Sequence, residues 1–459
     1  MTNLSVKNPE NKGITTSSQR RFSCSEASTQ LPNGLRVVSA TLSHLHSAAL
    51  TLFAPGGPRY ERLEDNGLSH LVEHGLFRGC STFPAARDFN EALESCSLGL
   101  GAATYREFVA LDALCAPERI EELLALLGAM LDAPTWQDLD IEQRIIVEEL
   151  QDELDEKGRD IDVDNLAKLT LMPKCGGGRK IGGDISRVKR FNTEDCQRWF
   201  EACYGAKNLV LSVASPLPHD EVVRIATEAL GGLREGEHIE ALPITLRGDL
   251  PALEYVEHGG SQSSLQIAWV VPPPQSPEWP IFNAIQRLLD DGTCSRLRRR
   301  ITDDEGLAYH VGSNLEAFTE AALLVIEADV SHDKVLPVLD AVFEEIALLA
   351  SGSVEEKEWS RIRERYNFDL ALAIDGASEV SYRVGLAAFH DRPLELDSAH
   401  RKFMEIDREE IARVAERYLH PSGAQITLVG ELDPLCRAGL RRRIHRLRGT
   451  NQSLPSHSR

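Results

Sequence analysis

A helix-then-strand unit occurs twice in this chain, and that duplication constrains the fold more than any other feature. Thr193 reads as the cap of a helix running to about Tyr204, followed by a strand from Leu209 to Ala214; Asp407 reads as the cap of a helix running to Tyr418, followed by a strand from Ile426 to Val429. The spacing from cap to tyrosine matches, so each half of the chain is expected to hold one copy of a common unit. A chain of 459 residues also exceeds what one core usually serves. The expected architecture is α+β, with two related domains, each an antiparallel-rich sheet packed with helices. They are expected at residues 29–236 and 251–445, with a linker at 237–250 in a stretch of poor periodicity. Residues 1–28 are polar, lack the apolar h-region of a secretory signal and read as a disordered tail; residues 446–459 read as a C-terminal tail.

On a helix, residues three and four apart share a face. In His70-Leu71-Val72-Glu73-His74 that geometry brings two imidazoles and a carboxylate to one point. Leu68, Leu71, Val72 and Leu76 supply the apolar stripe, and Asp65-Asn66-Gly67 reads as the N-cap cluster. Two neutral imidazole nitrogens can hold Zn2+, and a carboxylate beside them can take a proton from water. The order is H-x-x-E-H, the inverse of H-E-x-x-H, and it marks a separate class of zinc peptidases. An open tetrahedral site takes three protein ligands, so a third must come from elsewhere. Around Asn283 to Leu297, where the second copy would carry its counterpart, there is no such motif, so one Zn2+ per chain is expected.

The surrounding elements are read from their patterns. Leu35 to Leu42 and Ser47 to Phe53 are expected to form two paired strands, and Leu98 to Thr104 and Phe108 to Cys115 two more joined near Arg106. Asp138 to Lys157 is expected to be a helix closed by Gly158, its polar surface crowded by Glu142, Glu148, Glu149, Asp152 and Glu153. Glu142 and Glu149 stand two turns apart and project on the same side. A solvated acidic face is the ordinary reading of such a run. The glycine-rich stretch from Cys175 to Gly183 lacks a phosphate-loop pattern and reads as a flexible surface loop.

Charge and cysteine usage narrow the function classes. A formal net charge of −21 disfavours nucleic-acid partners and permits attraction of basic peptides. The nine cysteines include no C-x-x-C pair, which fits a reducing compartment, the cytoplasm ahead of the mitochondrial matrix, and offers no thiolate zinc site. No apolar run approaches the ~18 to 20 residues of a membrane span, and none is expected. The basic run Arg441 to Arg448 reads as a solvated helix end.

Over about residues 30 to 435 the chain resembles the pitrilysin/insulinase superfamily, in its half-length, mitochondrial-processing-peptidase-like branch. Gly57-Pro58-Arg59-Tyr60-Glu61 is similar to the family's G-S-R-Y-E, and Gly67 to Gly79 resembles G-x-A-H-x-x-E-H-x-x-F-x-G. Gln143 to Leu150 resembles the segment that carries the third zinc ligand, and Tyr204 to Leu211 the family's Y-x-x-x-N strand. Ser295-Arg296-Leu297 with Gly306-Leu307-Ala308-Tyr309 resembles its S-R-L and G-L-A-Y pattern.

The resemblance implies half of a clam-shell peptidase: a zinc-dependent endopeptidase hydrolysing peptides or leader segments in an enclosed chamber. It places the metal on His70, His74 and Glu149, the general base on Glu73, and outer-shell support on Glu142. The peptide would lie along Leu98 to Thr104, where Gly101 replaces the family's asparagine and Ala102 and Thr104 offer backbone groups. Tyr309 would contact substrate, but Thr302 stands where the family has an arginine. That gap fits a heterodimer with a half-length homologue, a homodimer being the other arrangement. The rival reading is a non-catalytic structural or assembly subunit of a peptidase-like complex.

Overall fold

The computed structural model describes residues 24–393 and 396–451. Its strands form two sheets. The first holds β1 (Ser25–Gln30), β2 (Arg36–Thr41), β3 (Ala48–Pro55), β4 (Ser97–Thr104), β5 (Phe108–Cys115) and β6 (Val210–Ser215), in the order β1-β2-β6-β3-β5-β4. The second holds β7 (Ala252–Glu257), β8 (Ser263–Val271), β9 (Ala308–Ala317), β10 (Ala322–Val330) and β11 (Ala424–Gly430), in the order β7-β11-β8-β10-β9. Apart from β1, the two orders correspond strand for strand, down to the single parallel pair, β2 with β6 in one and β7 with β11 in the other. The molecule is a two-domain α+β fold.

Several local expectations need correction. β2 and β3 are not paired: β6 lies between them, parallel to β2 and antiparallel to β3. All of β3 and β6 is buried, because helices cover both faces of the sheet, and such strands carry no alternation from which to read a neighbour. Residues 25–28, expected in the disordered tail, instead belong to β1, which pairs with β2 from Ser25 onward; residues 1–23 lie outside the described residues. Residues 446–451, expected in the C-terminal tail, instead continue the last helix, Pro434–Asn451; residues 452–459 lie outside the described residues. In the repeated unit, the cap of the helix Thr193–Cys203 is Asn192, which forms a capping box with Asp195. Asp407 and Glu410 form the same box on the helix Arg408–Tyr418.

The halves lock by exchanging helices. Helix Val163–Leu171 leaves the first half and packs on β8 and β11, where Leu171 and Met172 meet Ala268, Leu323 and Val325. Helix Ala377–Phe389 leaves the second half and packs on β2, β3 and β6, where Val380 and Val384 meet Val38, Phe53 and Val210. Ser381 sits at that contact, its hydroxyl bonded to Thr51 Oγ1 at 3.0 Å and to the Ser212 carbonyl at 3.1 Å. Buried ions cross between the halves as well: Lys168 meets Glu316 at 2.6 Å, and Glu107, paired to the buried Arg59 at 2.9 Å, accepts from Thr319 N at 2.8 Å.

Gly385 lets the second helix approach. A Cβ there would stand 2.3 Å from Phe53 Cε2 and 2.8 Å from Ser212 Cβ, both inside the packed sheet. Gly385→Ala is therefore expected to destabilise the chain by ~1–3 kcal/mol, read as a lower urea midpoint. A second prediction concerns His390, which lies against Phe108 and Phe389 just past this helix. Burial, with Arg392 adding to it, pushes its imidazole down from 6.5 to about 4. Between those values the unfolded chain binds the proton and the folded chain does not, so stability is lost as pH falls from 6.5 towards 4. His390→Gln should flatten the pH dependence of the unfolding free energy from urea titrations in that window by up to ~3 kcal/mol.

Candidate metal centre

The motif lies on helix Leu68–Leu76, whose start is built from an unexpected residue. Gly67 precedes the helix at φ 99°, and no side chain of the Asp65-Asn66-Gly67 cluster caps it. Glu61, wholly buried, does so from the preceding turn: its carboxylate accepts from Gly67 N at 3.0 Å, Ser69 N at 2.8 Å and Asn66 Nδ2 at 2.9 Å. Leu68, Leu71, Val72 and Leu76 enter the core of the first sheet. That leaves His70, Glu73 and His74 free to face the site.

The acidic helix packs against this one and spans Leu139–Asp152, ending before the expected Lys157 because residues 154–159 form a turn of their own. Gly158 belongs to that turn, at φ 72°. His70, His74 and Glu149 offer ligand atoms that all lie within 4.8 Å of one another, the one such group among the described residues. His70 Nε2 and His74 Nε2 are 3.1 Å apart, and His70 Nε2 is 3.8 Å from a Glu149 oxygen. Two imidazoles on one tetrahedral zinc, with bonds of ~2.0–2.1 Å, hold their nitrogens about 3.3 Å apart, so the observed spacing fits that ion.

The hydrogen bonds around the donors set their tautomers. His74 Nδ1 lies 2.8 Å from Glu142 Oε2, which fixes the proton on Nδ1 and leaves the Nε2 lone pair for a metal. Arg78 holds the other oxygen of Glu142 at 2.5 Å. His70 is half-buried, and desolvation first, then the neighbouring His74, depress its pKa to about 4, so it is neutral at pH 7 as a ligand must be. Its Nδ1 is buried without a hydrogen-bond partner. Glu73 is buried too, and burial raises its pKa while the Thr104 hydroxyl, 2.5 Å from Oε2, draws it back. Glu149 lies on the open side, with half of its side chain exposed.

The remaining sequence candidates are placed as follows. Gly101, Ala102 and Thr104 lie on β4, the outer strand of the first sheet beside the motif helix, and Thr104 alone bonds to the cluster. Tyr309 begins near the start of β9 in the other sheet, 92% exposed, with no hydrogen bond to the cluster among the described residues. The stretch Cys175 to Gly183 is not a loose surface loop. Its three consecutive glycines are buried beside Pro58 and Arg59, and Gly182 sits against Leu150 and His70 Nδ1.

Two family models match the chain in tandem: "Insulinase (Peptidase family M16)" over residues 36–172 and "Peptidase M16 inactive domain" over residues 190–366. The chain belongs to the pitrilysin/insulinase superfamily. It is 25% identical over 362 residues to an "Uncharacterized zinc protease" of Rickettsia felis, a match covering 78% of this chain and 85% of that one. It is 23% identical over 420 residues to "Mitochondrial-processing peptidase subunit beta" of Caenorhabditis elegans, covering 88% and 89%. A crystal structure of a Helicobacter pylori protease shares the fold with a TM-score of 0.81 at 16% identity, covering 89% of this chain and 99% of that one.

Within this M16 chain, Arg78 and Glu61 are the residues that pattern reading passed over. Both sit inside the matched motifs, but neither spacing nor residue type announces its partner. Glu142→Ala is expected to remove the proton acceptor of His74 and strand Arg78, weakening zinc binding ~10- to 100-fold. Competition with a chromophoric chelator measures this, and an unchanged affinity would show that Glu142 does not orient the ligand.

Proposed function

We propose that this chain is a zinc-dependent endopeptidase acting on peptides or leader segments, in a chamber closed by a second half-length subunit. The observation that carries this reading is the convergence of His70, His74 and Glu149, with Glu73 buried beside them and Thr104 of the outer strand bonded to Glu73. The named zinc protease and processing peptidase among the relatives support it.

Zinc, when bound by His70, His74 and Glu149, would polarise the scissile carbonyl and lower the pKa of a water to about 7. Glu73 accepts the proton of the attacking water and returns it to the leaving amine. Its elevated pKa suits both tasks, because a carboxylate that is too acidic releases a proton readily but takes one up poorly. Thr104 fixes the orientation of Glu73 while β4 holds the peptide through backbone bonds, a mode that tolerates many sequences.

A second reading, a non-catalytic structural subunit, draws on Thr302 in the arginine position and Gly101 in the asparagine position. The complete donor set speaks against it. Partnership is supported by the subunit name of the processing-peptidase relative, and by Tyr309 standing on the sheet away from the donors.

Zinc content and hydrolysis of a quenched peptide library should be compared between the intact chain and Glu73→Gln, alone and with a half-length homologue. The variant is expected to keep about one zinc per chain and lose ~100-fold or more of the activity. Activity that appears only with the homologue assigns the missing arginine to the partner. No zinc and no cleavage in either setting would sink the enzyme reading and leave the structural subunit.

A further inference from the structure

The two sheets differ at one edge. In the first, β2 carries β1 on its outer side, antiparallel, in register from Ser25↔Thr41 to Gln30↔Arg36. The counterpart of β2 in the second sheet is β7, and among the described residues β11 is its only strand neighbour. Among the described residues the backbone edge that a strand pairs in one half carries no strand in the other, and side chains reach only its ends, Arg448 Nε donating to the Pro251 carbonyl at 3.1 Å and Arg159 Nη2 to the Glu257 carbonyl at 2.7 Å. Beside it, β7 and helix Pro434–Asn451 enclose a groove of about 330 Å3, its wall shared between polar Glu254, Arg437 and Arg441 and apolar Leu253 and Tyr255, with the buried Leu432 and Leu440 at its back.

The basic residues of that helix divide into occupied and free. Arg437 pairs with Glu257 at 2.5 Å and lies over the Tyr255 ring, and Arg443 pairs with Asp340 at 2.5 Å. Arg441, on the groove, and Arg442 beside it are exposed, and neither has an ion pair among the described residues. Glu254 is the one acid that lines the groove. On a chain of net charge −21 these two arginines form a local excess of positive charge that the fold itself leaves unmatched.

We propose that β7 is a docking edge for an extended acidic segment of a partner protein. The segment adds to the second sheet as β1 adds to the first and places carboxylates on Arg441 and Arg442, along the groove. Strand addition supplies backbone hydrogen bonds, alternate side chains of the segment face the helix, and the guanidinium forks prefer carboxylates. The proposal does not rest on the peptidase reading, because the edge belongs to the half without the metal donors.

The test uses the full chain carrying Glu73→Gln, so that the probe stays intact, and a short fluorescein-labelled peptide of alternating valine and glutamate. Binding by fluorescence polarisation should be accompanied by slowed amide exchange at residues 252–257. Arg441→Glu with Arg442→Glu should weaken it about tenfold. Lysine in place of the peptide's glutamates, or N-methylation at alternate residues, should weaken it comparably. Both arginines are exposed, and unchanged zinc content and circular dichroism check that the double variant folds; should it not, Arg441→Gln with Arg442→Gln is read instead, with a smaller salt dependence expected. Absence of binding at millimolar peptide, protection confined to residues 97–104, or indifference to the arginine substitutions would each overturn the proposal.

Discussion

The start of the metal helix depends on one buried carboxylate. Glu61 has no exposure to water, and burial raises its pKa while Asn66, Ser69 and Gly67 pull it back through hydrogen bonds. A buried carboxylate without such partners costs several kcal/mol. Here two of its partners are first-turn backbone N–H groups that would otherwise be orphaned, and the negative charge sits at the positive end of the helix dipole. The stabilisation of Glu61 and the placement of the helix are thus one interaction. Asn66 Nδ2 also reaches the Lys180 carbonyl at 2.9 Å, which ties in the glycine-rich stretch that backs His70. Glu61, and not the motif alone, sets where the two imidazoles point.

What holds the helix relative to the sheet is the exchange between halves. Neither sheet is covered on both faces by its own half: the first needs helix Ala377–Phe389, and the second needs helix Val163–Leu171. A half expressed alone would expose Phe53, Val38 and Val210, or Ala268, Leu323 and Val325, to water. The duplication seen in the sequence therefore yields one interlocked body and not two independent modules. It also places the fully buried Arg59 and Lys168 at the seam, where each pairs with a carboxylate of its own half, Glu107 and Asp164, and with one of the other, Glu320 and Glu316.

The sequence made legible whatever depends on local period or fixed spacing. The motif helix, the acidic helix, the β4–β5 hairpin and the repeated cap-helix-strand unit all follow from positions within a few residues of one another. The sheet order did not, because inserting β6 between β2 and β3 is a contact across more than half of the first domain, and uniformly buried strands look alike. The role of Gly176 to Gly178 was hidden for a related reason. Glycine signals either freedom or close approach, and only the backbone of Pro58, 1.9 Å from where a Gly176 Cβ would stand, decides for the second. Glu142 and Glu149 could be singled out from their acidic neighbours by family resemblance, whereas Arg78 and Glu61 needed coordinates.

The duplicated fold also explains why only one seam gathers the donors that a metal would need. In the second half, helix Trp279–Asp290 packs on helix Glu356–Ala373 as the motif helix packs on the acidic helix. There the seam is charge-complete: Arg287 meets Asp369 and Asp291 at 2.6 Å each, and Arg365 meets Asp291 at 2.6 Å. In the first half the same seam gathers Glu73, Glu142 and Glu149 with Arg78 as the one guanidinium, and the groups placed between are imidazoles, one of them held neutral by its surroundings. Carboxylates crowded in a partly buried seam repel one another unless a cation joins them. The second half supplies that cation as side chains. The first half supplies nitrogen and oxygen donors instead, which is the electrostatic condition under which a divalent ion binds.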